Sequence, residues 1–148
     1  ELQQPRSALA SRGGGEFRGG VDRFIAVGVS ESQFLFGDAR SVFADGKLVG
    51  GADVIEIWSN AGQAAGDARE AMGTATDFGE VIGGNDTIIS DGESEAQLIG
   101  DVGEINAFAK VVGGDDLIDG SNWAQFMAGD VGNAFGNFTG GDDMDDLF

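Results

Sequence analysis

The sequence predicts an all-β fold, a β-solenoid of short strands stacked coil upon coil, and three observations carry that prediction. The pattern Gly-Gly-x-Asp recurs five times, beginning at Gly19, Gly50, Gly83, Gly113 and Gly140, at spacings of 31, 33, 30 and 27 residues. A second pattern, Gly-Asp, alternates with it as Gly37-Asp38, Gly66-Asp67, Gly100-Asp101 and Gly129-Asp130, at spacings of 29, 34 and 29. The third observation is a fixed distance between apolar residues: Ile55 to Ala64, Ile88 to Leu98 and Ile118 to Met127 are 9, 10 and 9 residues apart. Two interleaved motifs with one period of about thirty residues describe a repeat protein, in which each unit buries its apolar face only against its neighbours.

The elements follow in order within each unit. After each Gly-Gly-x-Asp comes a short β-rich run, Val54–Trp58, Thr87–Ser90 or Leu117–Asp119. These runs are too brief to stand alone and need neighbouring coils to cover them. Between each Gly-Asp and the next glycine pair lies a spacer of variable length, such as ARSVFADGKLV or AREAMGTATDFGEVI. Alternation in SVFADGKLV predicts a strand or hairpin with Asp45-Gly46 as a tight turn, and AREAM allows one helical turn. Residues 1–18 are expected to form an N-terminal arm or degenerate first repeat, and residues 19–148 the repeat domain. Glu1 is not a start methionine and ELQQPRSALA lacks the apolar centre of a signal peptide, so the chain is expected to be processed or part of a longer one.

Composition removes most function classes. The chain carries 26 acidic and 8 basic residues, a formal charge of −18, and all of that excess lies in residues 51–148, where Arg69 and Lys110 are the only bases. Nucleic acid is therefore not an expected partner, because phosphate binding needs a basic surface. A compact body so charged repels itself unless counter-ions sit within it. Disorder is the simplest alternative for so acidic a chain, above all without divalent cation, but 41% apolar residues with 11 Phe and 2 Trp argue for a fold. The absence of Cys and His excludes disulfides, thiolate or imidazole metal sites, and His-dependent triads. No run of about 18 apolar residues is present to span a membrane as a helix. Acid pairs are unavoidable at this composition and give no reason to expect glycosidase chemistry, so the chain is not expected to be an enzyme.

What the repeat offers is oxygen. Calcium takes six to eight oxygen ligands from carboxylates and backbone carbonyls, and paired glycines let a turn present its carbonyls while the aspartate supplies charge. Asp38, Asp53, Asp67, Asp86, Asp101, Asp116, Asp130 and Asp143 are candidate ligands, with turn-capping hydrogen bonds as the alternative for each. Gly51, Gly84 and Gly114 are candidates through their backbone. Asp115 and Asp142 occupy the variable place of the motif and are expected in solvent, as are Glu93 and Glu95. No EF-hand loop is present.

These motifs resemble those of the repeats-in-toxin (RTX) calcium-binding proteins, whose nonapeptide is G-G-x-G-x-D-x-U-x with U a large apolar residue. VIGGNDTII places Gly84, Asp86 and Ile88 on the fourth, sixth and eighth positions; VVGGDDLID places Gly114, Asp116 and Ile118 there, and LVGGADVIE places Gly51, Asp53 and Ile55. The resemblance covers about Gly19 to Phe148. It departs from the nonapeptide at Leu48-Val49, Val81-Ile82 and Val111-Val112, which stand where the family has glycines, and in the spacers that interrupt every unit. It implies a parallel β-roll with several calcium ions in its turns, a secreted or cell-surface bacterial protein exported in one step, and folding triggered by extracellular calcium. Arg23 beside Asp22 and Asp145 at an apolar place mark the end copies as capping or truncated coils.

Two other roles stay open at this point. One is a subunit that assembles with itself or a larger complex, with calcium as scaffold; Arg6, Arg12, Arg18 and Arg23 would then form either a solvated tail or an arm reaching for an acidic neighbour. The other is a targeting or carbohydrate-binding appendage of a secreted enzyme. Phe34, Phe36, Trp58, Phe78, Phe108, Trp123, Phe126, Phe135 and Phe138 are expected mainly in the core, with an exposed docking strip as the alternative.

Overall fold

Strands of three or four residues gain stability only when laid edge to edge, and the repeat supplies the edges. The computed structural model describes residues 15–27, 34–58, 63–90, 97–120 and 126–147. These form an all-β parallel solenoid, with no helix among the described residues. The first coil contributes β1 (Gly15–Arg18), β2 (Arg23–Ala26), β3 (Phe34–Phe36) and β4 (Ala39–Val42). The second contributes β5 (Gly46–Val49), β6 (Val54–Ile57), β7 (Gln63–Ala65) and β8 (Ala68–Ala71). Next come β9 (Gly79–Ile82), β10 (Thr87–Ser90), β11 (Gln97–Ile99) and β12 (Val102–Ile105). They are followed by β13 (Ala109–Val112), β14 (Leu117–Gly120), β15 (Phe126–Ala128) and β16 (Val131–Ala134), then β17 (Asn137–Thr139) and β18 (Met144–Leu147). Four coils each give one strand to each of four sheets, and β17 and β18 extend the first two, in the orders β1-β5-β9-β13-β17, β2-β6-β10-β14-β18, β3-β7-β11-β15 and β4-β8-β12-β16.

The motif spacing is the strand register. Gly15 pairs with Gly46, Lys47 with Glu80, Ala109 with Gly79 and Lys110 with Asn137, which are the offsets of 31, 33, 30 and 27 between glycine pairs. Phe34 pairs with Gln63, Gln63 with Gln97 and Gln97 with Phe126, the 29, 34 and 29 of the Gly-Asp series. A side-chain period of two then aligns like with like. Ile55, Ile88 and Ile118 stack in register, fully buried, as do Ala64 and Leu98 beside a half-buried Met127.

Two apolar clusters result. One joins β4, β8 and β12 to β5, β9 and β13 through Val42, Leu48, Val81, Val102, Ile105 and Val111. The other joins β6, β10 and β14 to β7 and β11 through the isoleucine and Ala64–Leu98 ladders and Ile57. The Gly-Gly-x-Asp turns connect the first sheet to the second, the Gly-Asp turns connect the third to the fourth, and both turn inward to meet between the clusters.

Several expectations are corrected here. SVFADGKLV forms no hairpin: β4 and β5 lie in different parallel sheets, and a turn closed by a 2.8 Å hydrogen bond from Gly46 N–H to the Phe43 carbonyl carries the chain into the next coil. Asp45 takes a left-handed φ of 64° there, which a short polar side chain tolerates. Ala68–Ala71 of AREAM form strand β8 rather than a helical turn. The aromatic residues are not the core: Trp58, Phe78, Phe108, Phe126, Phe135 and Phe138 are exposed and Phe34 and Phe36 half-buried, while Trp123 lies outside the described residues. The two clusters are built of aliphatic residues, with Phe17 and Phe24 packed half-buried against them. Arg18 and Arg23 belong to strands β1 and β2, not to a tail, and pair with Glu16 and Glu56. Arg6, Arg12, Glu93 and Glu95 lie outside the described residues.

Candidate metal centre

Where the two kinds of turn meet, their aspartates form two parallel ladders. In the first, the backbone N–H of each motif aspartate donates to the carboxylate one coil on: Asp22 to Asp53 Oδ1 at 2.6 Å, Asp53 to Asp86 Oδ1 and Asp86 to Asp116 Oδ1 at 2.7 Å, and Asp116 to Asp143 Oδ1 at 3.1 Å. In the second, Gly-Asp carboxylates accept from the glycine pairs opposite. Gly51 N–H reaches Asp38 Oδ2 at 2.7 Å, Gly84 reaches Asp67 Oδ2 at 2.9 Å, Gly114 reaches Asp101 Oδ2 at 3.1 Å and Gly141 reaches Asp130 Oδ1 at 2.8 Å. Gly51, Gly84 and Gly114 thus serve the ladder as N–H donors.

The glycines are dictated by space. No turn glycine of either motif has a left-handed φ; instead, a Cβ on Gly84 would collide with the Gly51 carbonyl of the preceding coil, and one on Gly66 with the Asp86 carboxylate and the Gly100 carbonyl. Removing the side chain lets backbone and carboxylate approach from both sides.

The ladders interlock into three groups whose carboxylate oxygens lie within 4.8 Å of one another: Asp22, Asp38 and Asp53; Asp53, Asp67 and Asp86; Asp86, Asp101 and Asp116. Asp53 and Asp86 are shared between successive groups. Asp130 and Asp143 continue the hydrogen-bond pattern, half-buried, but do not close into a fourth group. Asp115 and Asp142 are exposed, as expected of the variable place. Asp22 is the ligand candidate the sequence concealed. The neighbouring Arg23 suggested a blocked turn, yet alternation along β2 sends Arg23 outward, where its Nε donates to Glu56 Oε1 at 3.0 Å.

Electrostatically the column is unbalanced. Asp38, Asp53, Asp67, Asp86, Asp101 and Asp116 are buried, no basic side chain among the described residues takes part, and Asp53 Oδ2, Asp67 Oδ1, Asp86 Oδ2 and Asp116 Oδ2 have no hydrogen-bond partner. Desolvation, reinforced by neighbouring carboxylates, pushes Asp53 and Asp116 up to about 7, Asp101 to about 8 and Asp86 to about 9, and lifts Asp67 well above its ordinary range. Asp38 and Asp130 are raised for the same first reason, burial. Carboxylates do not leave buried oxygens unpaired without cost, about 1–3 kcal/mol each and more when charged. Either protons or cations must occupy the column, and an all-oxygen donor set suits a hard cation. These buried groups are therefore able to hold metal ions.

Comparison with family models, curated proteins and solved structures gives no match.

Proposed function

We propose that the chain is a calcium-binding β-solenoid, a structural or interaction module in which ion binding and folding are one event. The observation that supports this most is the set of four buried, unpartnered carboxylate oxygens in triads that share Asp53 and Asp86. Two oxygens on one calcium at ligand distances of about 2.4 Å can be at most about 4.8 Å apart, and the triads meet that limit. Magnesium is less suited, because it keeps several waters and every triad carboxylate except the half-buried Asp22 is closed to solvent. The resemblance of the turns to RTX motifs adds support, and with it goes the proposal of a secreted or surface protein that leaves the cell unfolded and folds on meeting calcium.

In this account the free energy of binding is free energy of folding, because the unfolded chain holds no such site. Circular dichroism at neutral pH tests it. The chain should lose its β signal in excess EDTA and recover it on calcium addition; equal spectra and melting temperatures in both would reject the proposal.

A further inference from the structure

On the outside of the solenoid, behind the Gly-Asp turns, the same inward bend opens a groove of about 290 Å³ between the β3-β7-β11-β15 and β4-β8-β12-β16 sheets. One wall is a single register row, Phe34, Gln63, Gln97 and Phe126. The other carries Glu70, Glu104 and Asn133, again in register, with Arg69 beside them. Gly103 and Gly132 line it without side chains, and a Cβ on Gly103 would lie 2.6 Å from the Arg69 carbonyl and 2.9 Å from Phe34 Cζ. Three strand spacings, about 14 Å, separate the Phe34 and Phe126 backbones, and the Phe34 side chain runs along the groove to Gly103.

From this lining we infer that the groove is a binding site for a neutral, hydroxyl-rich oligosaccharide. Gln63 donates its amide to Gln97 Oε1, which leaves the Gln63 oxygen as an acceptor and the Gln97 NH₂ as a donor in the groove lining. Glu70 binds the Ser41 hydroxyl with one carboxylate oxygen and keeps the other. Arg69 stacks on the Phe34 ring at 5.3 Å and enters no ion pair among the described residues. An acceptor and a donor side by side suit adjacent hydroxyl groups, and the rings of Phe34 and Phe126 in the lining suit the apolar faces of sugar rings. Two carboxylates against one guanidinium, on a chain of charge −18, disfavour uronates, phosphates and sulfates. An extended peptide has no free strand edge to join here, since β7, β8, β11 and β12 are paired on both sides. The sugar would occupy a surface separate from the aspartate column.

Calorimetric titration of the folded chain in calcium tests this with cellohexaose, maltohexaose and chitohexaose as neutral probes, oligogalacturonate as the anionic probe and a lysine-rich peptide as the cationic one. At least one neutral probe should bind, with oligogalacturonate undetected. Phe126, which is 41% exposed, can be truncated without disturbing the core, and Phe126→Ala should weaken that binding about two- to tenfold. Asn133→Ala, also at an exposed position, should weaken it with an unchanged circular dichroism spectrum. Failure of all neutral probes, equal or tighter binding of oligogalacturonate, binding of the peptide alone, or affinity unmoved by both variants would overturn the assignment. Because calcium-dependent folding is read separately by circular dichroism, failure of the groove and failure of the metal centre are distinguishable.

Discussion

Raising the pH of the metal-free chain should unfold it, opposite to the usual behaviour of a protein whose carboxylates are salt-bridged. Buried without a cation, Asp53 and Asp116 hold their protons until about pH 7, whereas in the unfolded chain they release them near 3.8. A folded-state value above the unfolded one means that the native chain binds more protons, so its stability is greatest below the unfolded value and falls as pH rises toward the folded value. Each unit of displacement is worth about 1.4 kcal/mol, so each of the two carboxyls costs about 3 kcal/mol between about pH 5 and pH 8. The pair alone removes about 5–6 kcal/mol, a large part of the 5–15 kcal/mol that holds a domain of ordinary stability. Urea unfolding followed by circular dichroism at several pH values, once in EDTA and once in saturating calcium, measures the effect. In EDTA the midpoint should fall from pH 5 to pH 8; in calcium that fall should vanish or reverse, because the ion needs the deprotonated ligands. Metal-free stability that stays level or rises over this range would refute the reasoning.

Glycine pairs give a second test: Gly84→Ala forces a methyl group into the Gly51 carbonyl and should cost at least about 3 kcal/mol, whereas a methyl at Gly20 meets nothing nearer than Asp22 Oδ2 at 3.7 Å and should cost under about 1 kcal/mol in the same urea titration. Asp86→Asn should change sign with conditions. In calcium it removes a charged ligand from two triads and should lower stability by up to about 5 kcal/mol, read as a lower melting temperature, while at alkaline pH in EDTA it removes a buried charge and should leave more β signal by circular dichroism than the unsubstituted chain keeps. Ile88→Ala, in the middle of the fully buried Ile55–Ile88–Ile118 ladder, should cost about 2–5 kcal/mol by denaturant unfolding in calcium.

The repeat was legible in the sequence because a solenoid converts spacing directly into register: the intervals between motifs are the offsets between paired strands. The inward isoleucines were legible for the same reason, being fixed to the turns, and so was the place of Asp38, Asp53, Asp67, Asp86, Asp101 and Asp116 at those turns, whereas Asp130 and Asp143 stay outside the three groups. Less legible was anything that depends on the cross-section of a coil. Nothing local says that each Gly-Asp turn lies between the Gly-Gly-x-Asp turn of its own coil and that of the next, yet that meeting joins Asp22 to Asp38 and Asp53 and excludes side chains at the glycines. The phenylalanines misled for a related reason. Hydrophobicity placed them inside, but Ile, Leu, Val and Ala fill the two clusters, Phe17 and Phe24 only flank them, and rings such as Phe135 and Phe138 stay at the surface. In the spacers, alternation signalled strands correctly at SVFADGKLV without revealing that parallel sheets, rather than a hairpin, would receive them.

The central claim is that cations occupy the aspartate column, and anomalous diffraction from crystals grown in calcium addresses it most directly. The account predicts a file of peaks within the three triads, each at about 2.3–2.6 Å from carboxylate oxygens, with Asp53 and Asp86 bridging neighbouring peaks. A column without anomalous density, with calcium bound only to exposed acids such as Asp115 and Asp142, would contradict it.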